Sequence, residues 1–519
     1  MKRKNKIRWF LYGLSLFIVL LLLESVNWFA VKFENLDLSV AVYQMLSPLK
    51  GTSTSVLTEF CRESLLPAII WTVIVLACFG YYEFVTQRIY FCIVCTWKRR
   101  LSDSLKKFNI LLDKRFFAKV KVLAVLLLCG WVIGKFCVLA MKVDLVGYIQ
   151  ALRTSGSFIE EHYVDPETVE VVFPKERRNL ILIYMESMEN TYASRDVGGG
   201  KNVNYIPELT SLALDEGTNF SNTDQLGGTY CISGASWTIA ALLTYQTGVP
   251  YKLPVERVDD YAEFLPGLTG LGELLENYGY QNYFMCGSDA TFGGRKNLFA
   301  QHGNYVIYDY LSAKDDGFIP DDYYEFWGME DAELYEYAKE KLDVISKEQK
   351  PFNLTLLTVD THFPNGYVCQ NCADIYEEQY ANVLACASHQ VMEFIEWAKS
   401  QEWYDNTTIV IVGDHLSMKD DFWDDVDGFD RRVYNCFYNL PADVIPYQEK
   451  QRLFNACDFF PTIVHSLGGK IDGDRLGLGT DLFSESPTLQ EEIGTDELNS
   501  QLGLYSQFYY DRFVIGEKR

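Results

Sequence analysis

Positive charge is scarce in this chain. Its 519 residues carry 46 Lys and Arg against 70 Asp and Glu, a formal net charge of −24. A partner that is itself a polyanion needs positive surface, so nucleic acid is excluded as a ligand. Broad electrostatic docking onto anionic lipid is excluded for the same reason, and any contact with lipid headgroups has to be local. Also lacking are internal repeats and low-complexity tracts in the outer part of the chain. No small-residue cleavage site follows the first apolar run, which argues against a removed signal peptide.

Long apolar runs are present, all in the first third. A basic start (Lys2, Arg3, Lys4, Lys6, Arg8) precedes a run from about Trp9 to Leu23, and two more cover about Leu66 to Val85 and Val120 to Met141. Each approaches or exceeds the roughly 20 residues that span a bilayer, and none has the polar face of a soluble core helix. The stretch between the second and third runs holds Arg88, Lys98, Arg99, Arg100, Lys106, Lys107, Lys114 and Arg115, whereas the first connection has almost no Lys or Arg. The positive-inside rule then puts the N-terminus and this basic loop in the cytoplasm and everything after about residue 145 outside. The expected organisation is a three-helix membrane anchor over 1–143, a partly helical juxtamembrane linker over 144–175 and an extracytoplasmic domain over 176–519. The run Tyr90–Thr96 either lengthens the second span or lies at the interface.

The outer part has a strand–helix rhythm. Asn179–Met185, Gln281–Cys286, Phe352–Val359 and Thr407–Val412 are short apolar runs and read as buried strands. Helical spacing covers Ile206–Asp215, Leu268–Tyr278, Asp331–Ser346, Glu377–Lys399 and Asp458–Leu467. Such alternation predicts an α/β domain with a mostly parallel central sheet covered by helices. An aromatic segment at Phe508, Tyr509 and Tyr510 reads as a final edge strand.

Open α/β sheets bind ligands at the carboxyl ends of their strands. Here three strand ends carry strong donors: Glu186-Ser187, Asp360-Thr361-His362 and Gly413-Asp414-His415. Singly these have plain explanations, Glu186 as a helix cap and His362 as a hydrogen-bonded loop residue. Converging on one sheet edge, they predict a divalent-cation site with oxygen and nitrogen ligands. Cysteine is a weaker signal. Cys369-Gln-Asn-Cys372 has metal-knuckle spacing but no second such pair, which argues against zinc, and a local disulfide from this loop to Cys386 is the expectation.

Five stretches resemble the phosphoglycerol transferase branch of the alkaline-phosphatase and sulfatase superfamily. They are LILIYMESMENTY (180–192), SWTIAALLTYQTGVP (236–250), LGELLENYGYQNYFMCGSDATF (271–292), LTLLTVDTHFPNGY (354–367) and TIVIVGDHLSM (408–418). The likeness is greatest to the enzymes that decorate glucans, with lipoteichoic acid synthases and phosphoethanolamine transferases further off. It implies that Thr238 is both nucleophile and metal ligand, with Glu186, Asp414 and His415 completing the coordination of one divalent cation, Mn²⁺ or Mg²⁺ with Zn²⁺ tolerated. A helix N-terminus at Thr238 would offer N–H groups to a phosphate, and a bound cation would lower the pKa of its hydroxyl. A simple N-cap is the plain alternative for Thr238. Thr229, Ser233 and Ser236 are rival nucleophiles, because the segment Gly227–Ala235 is a few residues longer than in the relatives. The resemblance also implies His362 beside the scissile phosphate, Arg295 as a phosphate clamp (otherwise a surface charge) and Asp289 and Trp237 as substrate contacts.

The implied reaction moves a glycerophosphoryl group from phosphatidylglycerol to a cell-envelope glycan or teichoic-acid-type acceptor through a phosphothreonine. Phosphoethanolamine transfer and phosphodiester or sulfate-ester hydrolysis are the enzymatic alternatives. Cys231-Ile-Ser-Gly-Ala lacks the Arg of the formylglycine motif, which speaks against a true sulfatase. A catalytically silent membrane scaffold or sensor is the non-enzymatic alternative, opposed by ligand candidates at every strand end.

Overall fold

The computed structural model describes residues 2–32, 54–96, 114–143, 145–252, 263–419, 422–423, 425–426 and 428–517. The chain divides into two units. One holds the helices of the first 148 residues and the other holds residues 149–519.

The first unit contains three long helices, α1 (Lys2–Lys32), α2 (Leu66–Thr96) and α3 (Lys114–Lys142). Within them Trp9–Trp28, Leu57–Thr86 and Ala118–Lys142 are long and apolar enough to cross a membrane. Leu126, Leu127 and Val138 are each more than half exposed, as suits lipid rather than water. The second span is entered through Thr54–Phe60 and a wide turn at Cys61–Leu65, and Tyr90–Thr96 lengthens its helix. Two charges that would be costly in hydrocarbon are paired: Lys135 Nζ lies 2.5 Å from Glu24 Oε1, and Lys121 bonds Glu83. Most of the basic loop, residues 97–113, lies outside the described residues.

The second unit is built on a six-stranded sheet. Its strands are β1 (Asn179–Met185), β2 (Gln281–Cys286), β3 (Val306–Tyr308), β4 (Phe352–Leu357), β5 (Thr407–Gly413) and β6 (Asn435–Tyr438). The spatial order is β3-β2-β4-β1-β5-β6, parallel throughout except for β6. Every residue of β1 and β5 is buried, as their unbroken apolar runs require of strands covered on both faces. Helices between the strands, and one after the last, supply the cover: α4 (Thr238–Thr247), α5 (Leu271–Asn277), α6 (Arg295–Gln301), α7 (Asp331–Ile345), α8 (Gln379–Lys399) and α9 (Phe459–Ser466).

Register positions the site. Tyr184 of β1 stands opposite Leu357 of β4 and Val412 of β5, and Met185 stands opposite Gly413. The three middle strands therefore end level, and the residues that follow them meet at one edge. The segment expected as a linker pairs with this unit, Val171 against Ile471, and buries Phe158 and Ile159.

Two expectations are corrected. The C-terminal aromatics form no strand. Gln507–Tyr509 is a helical turn that continues through Tyr510–Ile515. Ser506 Oγ caps it by accepting from Tyr509 N (3.2 Å), and the helical i,i+4 spacing brings the Tyr509 and Phe513 rings together at 5.1 Å. The expected disulfide to Cys386 is likewise not formed. Cys369 Sγ stands 3.6 Å from Cys372 Sγ and 3.7 Å from Cys386 Sγ, against about 2.05 Å for a bond.

Candidate metal and nucleophile site

At the carboxyl edge of the sheet Glu186, Asp414 and His415 come together, buried, with one donor atom of each lying within 4.8 Å of the others. Glu186 ends β1 and hands the chain to Ser187, whose φ of +52° is rare for a residue with a side chain. That turn lets Ser187 N donate to Asp414 Oδ1 (2.8 Å) while Ser187 Oγ donates to Glu186 Oε1 (2.7 Å). Glu186 is further held by Thr358 Oγ1, which accepts from its N–H at 3.0 Å, and by Thr361, whose hydroxyl donates to its carbonyl. It is not a helix cap.

Asp414 is used asymmetrically. Its Oδ1 accepts from Ser187 N and from His415 N (2.7 Å), whereas Oδ2 is buried without a hydrogen-bond partner. That orphaned oxygen lies 3.4 Å from His415 Nε2. The ring of His415 is oriented by Leu416 O, which can only accept, so Nδ1 carries a proton (2.8 Å) and Nε2 faces the cluster. Burial and the charge of Glu186 push the Asp414 carboxyl well above its ordinary range. Burial also opposes charge on His415, but Asp414 and Glu186 outweigh it and hold the ring above its usual value. Two carboxylates, an imidazole nitrogen and an unpaired buried oxygen are what a hard-to-borderline divalent cation requires, so the residues fit the expected ion.

Thr238 completes this group. It is the first residue of α4, after the extended Trp237, and makes no capping bond. Its Oγ1 instead lies 3.4 Å from Glu186 Oε2 and 3.3 Å from His415 Nε2. The N-cap explanation therefore fails. Of the rivals, Thr229 is a buried partner of Val433 in an isolated bridge, and Ser233 N donates to Asn499 on the side of the C-terminal helices. Ser187 is a hydroxyl at the cluster that sequence reasoning did not propose as a candidate, and its left-handed backbone has no sequence signature outside glycine and asparagine. The Cys231 thiol is pushed up to about 11 by burial, so it stays protonated and unreactive.

The remaining predicted residues lie outside this donor group. His362 is half-buried, with Nδ1 donating to Phe363 O (2.9 Å), which leaves Nε2 as the nitrogen open to other contacts. Burial first, then the charges of His415 and Arg295, bring its pKa down to about 4. Neutral imidazole with a free Nε2 accepts a proton; it does not start as an acid. Arg295 is buried and not a surface charge. It donates to Phe292 O and Asp289 O, both at 3.0 Å, and no carboxylate among the described residues pairs with it. Asp289 Oδ1 accepts from Thr291 N and Oγ1. Trp327, absent from any motif, links the two, its ring 5.0 Å from His362 and 5.2 Å from Phe292. Trp237 packs on Tyr251 at 5.9 Å with 4% of its surface exposed. Behind the cluster, Glu189 is fully buried and held by Arg431, Ser417 N and Thr191 Oγ1.

Residues 178–469 match the model of the family described as Sulfatase. The phosphoglycerol transferase I proteins of Salmonella choleraesuis and Salmonella typhimurium are 33% identical over 320 residues, 60% of this chain. The chain spans 40% of the length of these curated relatives. Among solved structures, the integral membrane lipooligosaccharide phosphoethanolamine transferase A of Neisseria meningitidis aligns with a TM-score of 0.50 at 13% identity. That alignment covers 96% of this chain and 88% of that one, a likeness of fold.

Proposed function

The chain belongs to the Sulfatase family, and on that premise we propose that it transfers a glycerophosphoryl group from phosphatidylglycerol to a cell-envelope glycan or teichoic-acid-type acceptor. The observation that carries this reading is Thr238 Oγ1 at a helix N-terminus, 3.4 Å from Glu186 and 3.3 Å from His415. Three helices long and apolar enough to cross a membrane suit a donor that never leaves the membrane, and the positive-inside pattern of the sequence supports an extracytoplasmic domain.

In the first step Thr238 Oγ attacks phosphorus, the bond from phosphorus to the diacylglycerol oxygen breaks, and diacylglycerol leaves with a proton. In the second an acceptor hydroxyl attacks the phosphothreonine, gives up its proton, and Thr238 is released. His362 serves the exchanging oxygens through Nε2: neutral at the start, it takes the proton that each attacking hydroxyl releases, Thr238 first and the acceptor second, and returns it to the oxygen that leaves. The bound phosphodiester, an anion, raises its pKa from about 4 toward a working value. Arg295 and the N–H groups of α4 orient the phosphoryl oxygens, and Asp289 receives the glycerol hydroxyls. Glu186, Thr238, Asp414 and His415 would hold a divalent cation, Mn²⁺ or Mg²⁺ with Zn²⁺ tolerated, whose positive charge would lower the hydroxyl pKa and offset the charge of the phosphoryl oxygens.

The test is diacylglycerol release by the full chain from vesicles of phosphatidylglycerol or phosphatidylethanolamine. Release from phosphatidylglycerol that stops with chelator is expected. Release from phosphatidylethanolamine alone would make the transferred group ethanolamine phosphate. Release from neither, by protein with the cation bound, would sink phosphoryl transfer from these lipids.

A further inference from the structure

A second cluster of strong ligands lies outside the nucleophile site. Cys369 and Cys372 belong to the loop that follows His362, and Cys386 projects from α8. Their sulfurs lie within 4.8 Å of one another, at 3.6 Å for Cys369 to Cys372 and 3.7 Å for Cys369 to Cys386. A metal–sulfur bond of about 2.3 Å in tetrahedral geometry places neighbouring sulfurs about 3.8 Å apart. The observed spacings fit such a site, and they are far longer than a disulfide.

Independent observations point the same way. Asn371 N donates to Cys369 Sγ at 3.4 Å, the backbone arrangement of a metal knuckle. Gln390, one turn beyond Cys386 on α8, donates from Nε2 to both Cys369 Sγ (3.3 Å) and Cys386 Sγ (3.0 Å). Its side chain is 4% exposed and its Oε1 has no hydrogen-bond partner. An amide buried with its donor end toward sulfur suits thiolate acceptors, because N–H groups stabilise the charge that thiolates carry. Cys369 and Cys386 are buried and Cys372 is partly exposed, which gives an ion a route in from solvent. The sequence argument against zinc rested on the lack of a second close Cys pair, and the fold supplies the third sulfur from a helix instead.

We propose that Cys369, Cys372 and Cys386 form a thiolate site for a soft d¹⁰ cation of the zinc class, separate from the Glu186–Asp414–His415 cluster. Thiolates select such ions over Mg²⁺ or Mn²⁺. The site fastens the His362 loop to α8: Gly366 N donates to His362 O and Tyr367 N donates to Asp360 O within the same loop. Binding at this site does not rest on the proposed transfer reaction.

The probe is Co²⁺ added to the reduced full chain in detergent, read by absorption. A near-ultraviolet sulfur-to-cobalt charge-transfer band is expected, saturating at one ion per chain and displaced by Zn²⁺. Glu186→Gln keeps the band and Cys369→Ser removes it. Should the serine variant fail to fold, the wild-type chain still decides, because Zn²⁺ should slow alkylation of these three cysteines at least tenfold, mapped by peptide mass. No band together with unchanged alkylation overturns the proposal. So does a disulfide between two of the three, in protein isolated from membranes without reductant, that blocks cobalt uptake.

Discussion

Replacing Asp414 by Asn changes one charge and almost nothing else, so its effect follows from the local structure. The asparagine carbonyl keeps the position of Oδ1 and its two backbone donors, Ser187 N and His415 N. The new amide nitrogen takes the place of the orphaned Oδ2, 3.4 Å from His415 Nε2. Asp414 and Glu186 donor atoms lie within 4.8 Å of each other, so at an effective dielectric of 20 two full charges repel by about 3.5 kcal/mol, offset in part by the attraction of Asp414 to His415. Chelated Asp414→Asn protein should therefore be more stable than chelated wild type by up to about 3 kcal/mol, a rise in Tm on the order of 5 °C. With Mn²⁺ the order reverses. Wild type gains about 2.7 kcal/mol at a hundredfold excess over Kd, whereas the variant has lost an anionic ligand and gains little. Thermal unfolding of the full chain in detergent, with chelator and with Mn²⁺, measures both. If Asp414→Asn is destabilised equally in the two conditions, the carboxylate is structural and the cation-site argument fails.

Thr238→Ala should lower turnover at least 10³-fold, about 4 kcal/mol of barrier, with Tm unchanged because the hydroxyl caps nothing; Thr238→Ser should stay within about tenfold. His362, held near pKa 4 by burial, is neutral in the folded state while the unfolded chain protonates it from about pH 6.5 downward. Its contribution to stability is thus present above that range and lost as pH falls toward 4, and His362→Gln should flatten this part of a Tm-versus-pH curve. Asp458 runs the other way. Burial pushes its carboxyl up to about 7, so its contribution is intact at pH 4 and lost as pH rises through 7, by at most about 4 kcal/mol. Asp458→Asn keeps acceptors for Asn455 N or Thr480 N and should remove that alkaline loss.

Much of the fold was legible because the central strands are mostly apolar and have no alternating polar face. Asn179–Met185 and Thr407–Gly413 have no polar face to confuse their period, and the donors that follow them stand out against it. The outer strands β3 and β6 are three and four residues long, too short for a pattern to register. The C-terminal aromatics were misread because aromatic residues favour strands in general, while here the capping Ser506 and the spacing of Tyr509 and Phe513 set a helix. Glu186, Thr238, Asp414 and His415, named from separate motifs, lie together at the sheet edge. Trp327 and the backbone of Ser187 were invisible, since a lone tryptophan in a loop and a left-handed serine carry no spacing. The sequence brought the Cys369–Cys372 loop to Cys386 but as a disulfide, because spacing alone does not show that all three sulfurs converge, which the placement of α8 brings about.

The central claim is that Thr238 carries the transferred group. Intact mass of the full chain, after incubation with phosphatidylglycerol and Mn²⁺, followed by peptide mapping, tests it most directly. The account predicts a cation-dependent gain of one glycerophosphoryl unit on the peptide that contains Thr238, absent from Thr238→Ala. An adduct mapped to Ser187, Ser233 or Ser236, or diacylglycerol release that persists in Thr238→Ala, would contradict it.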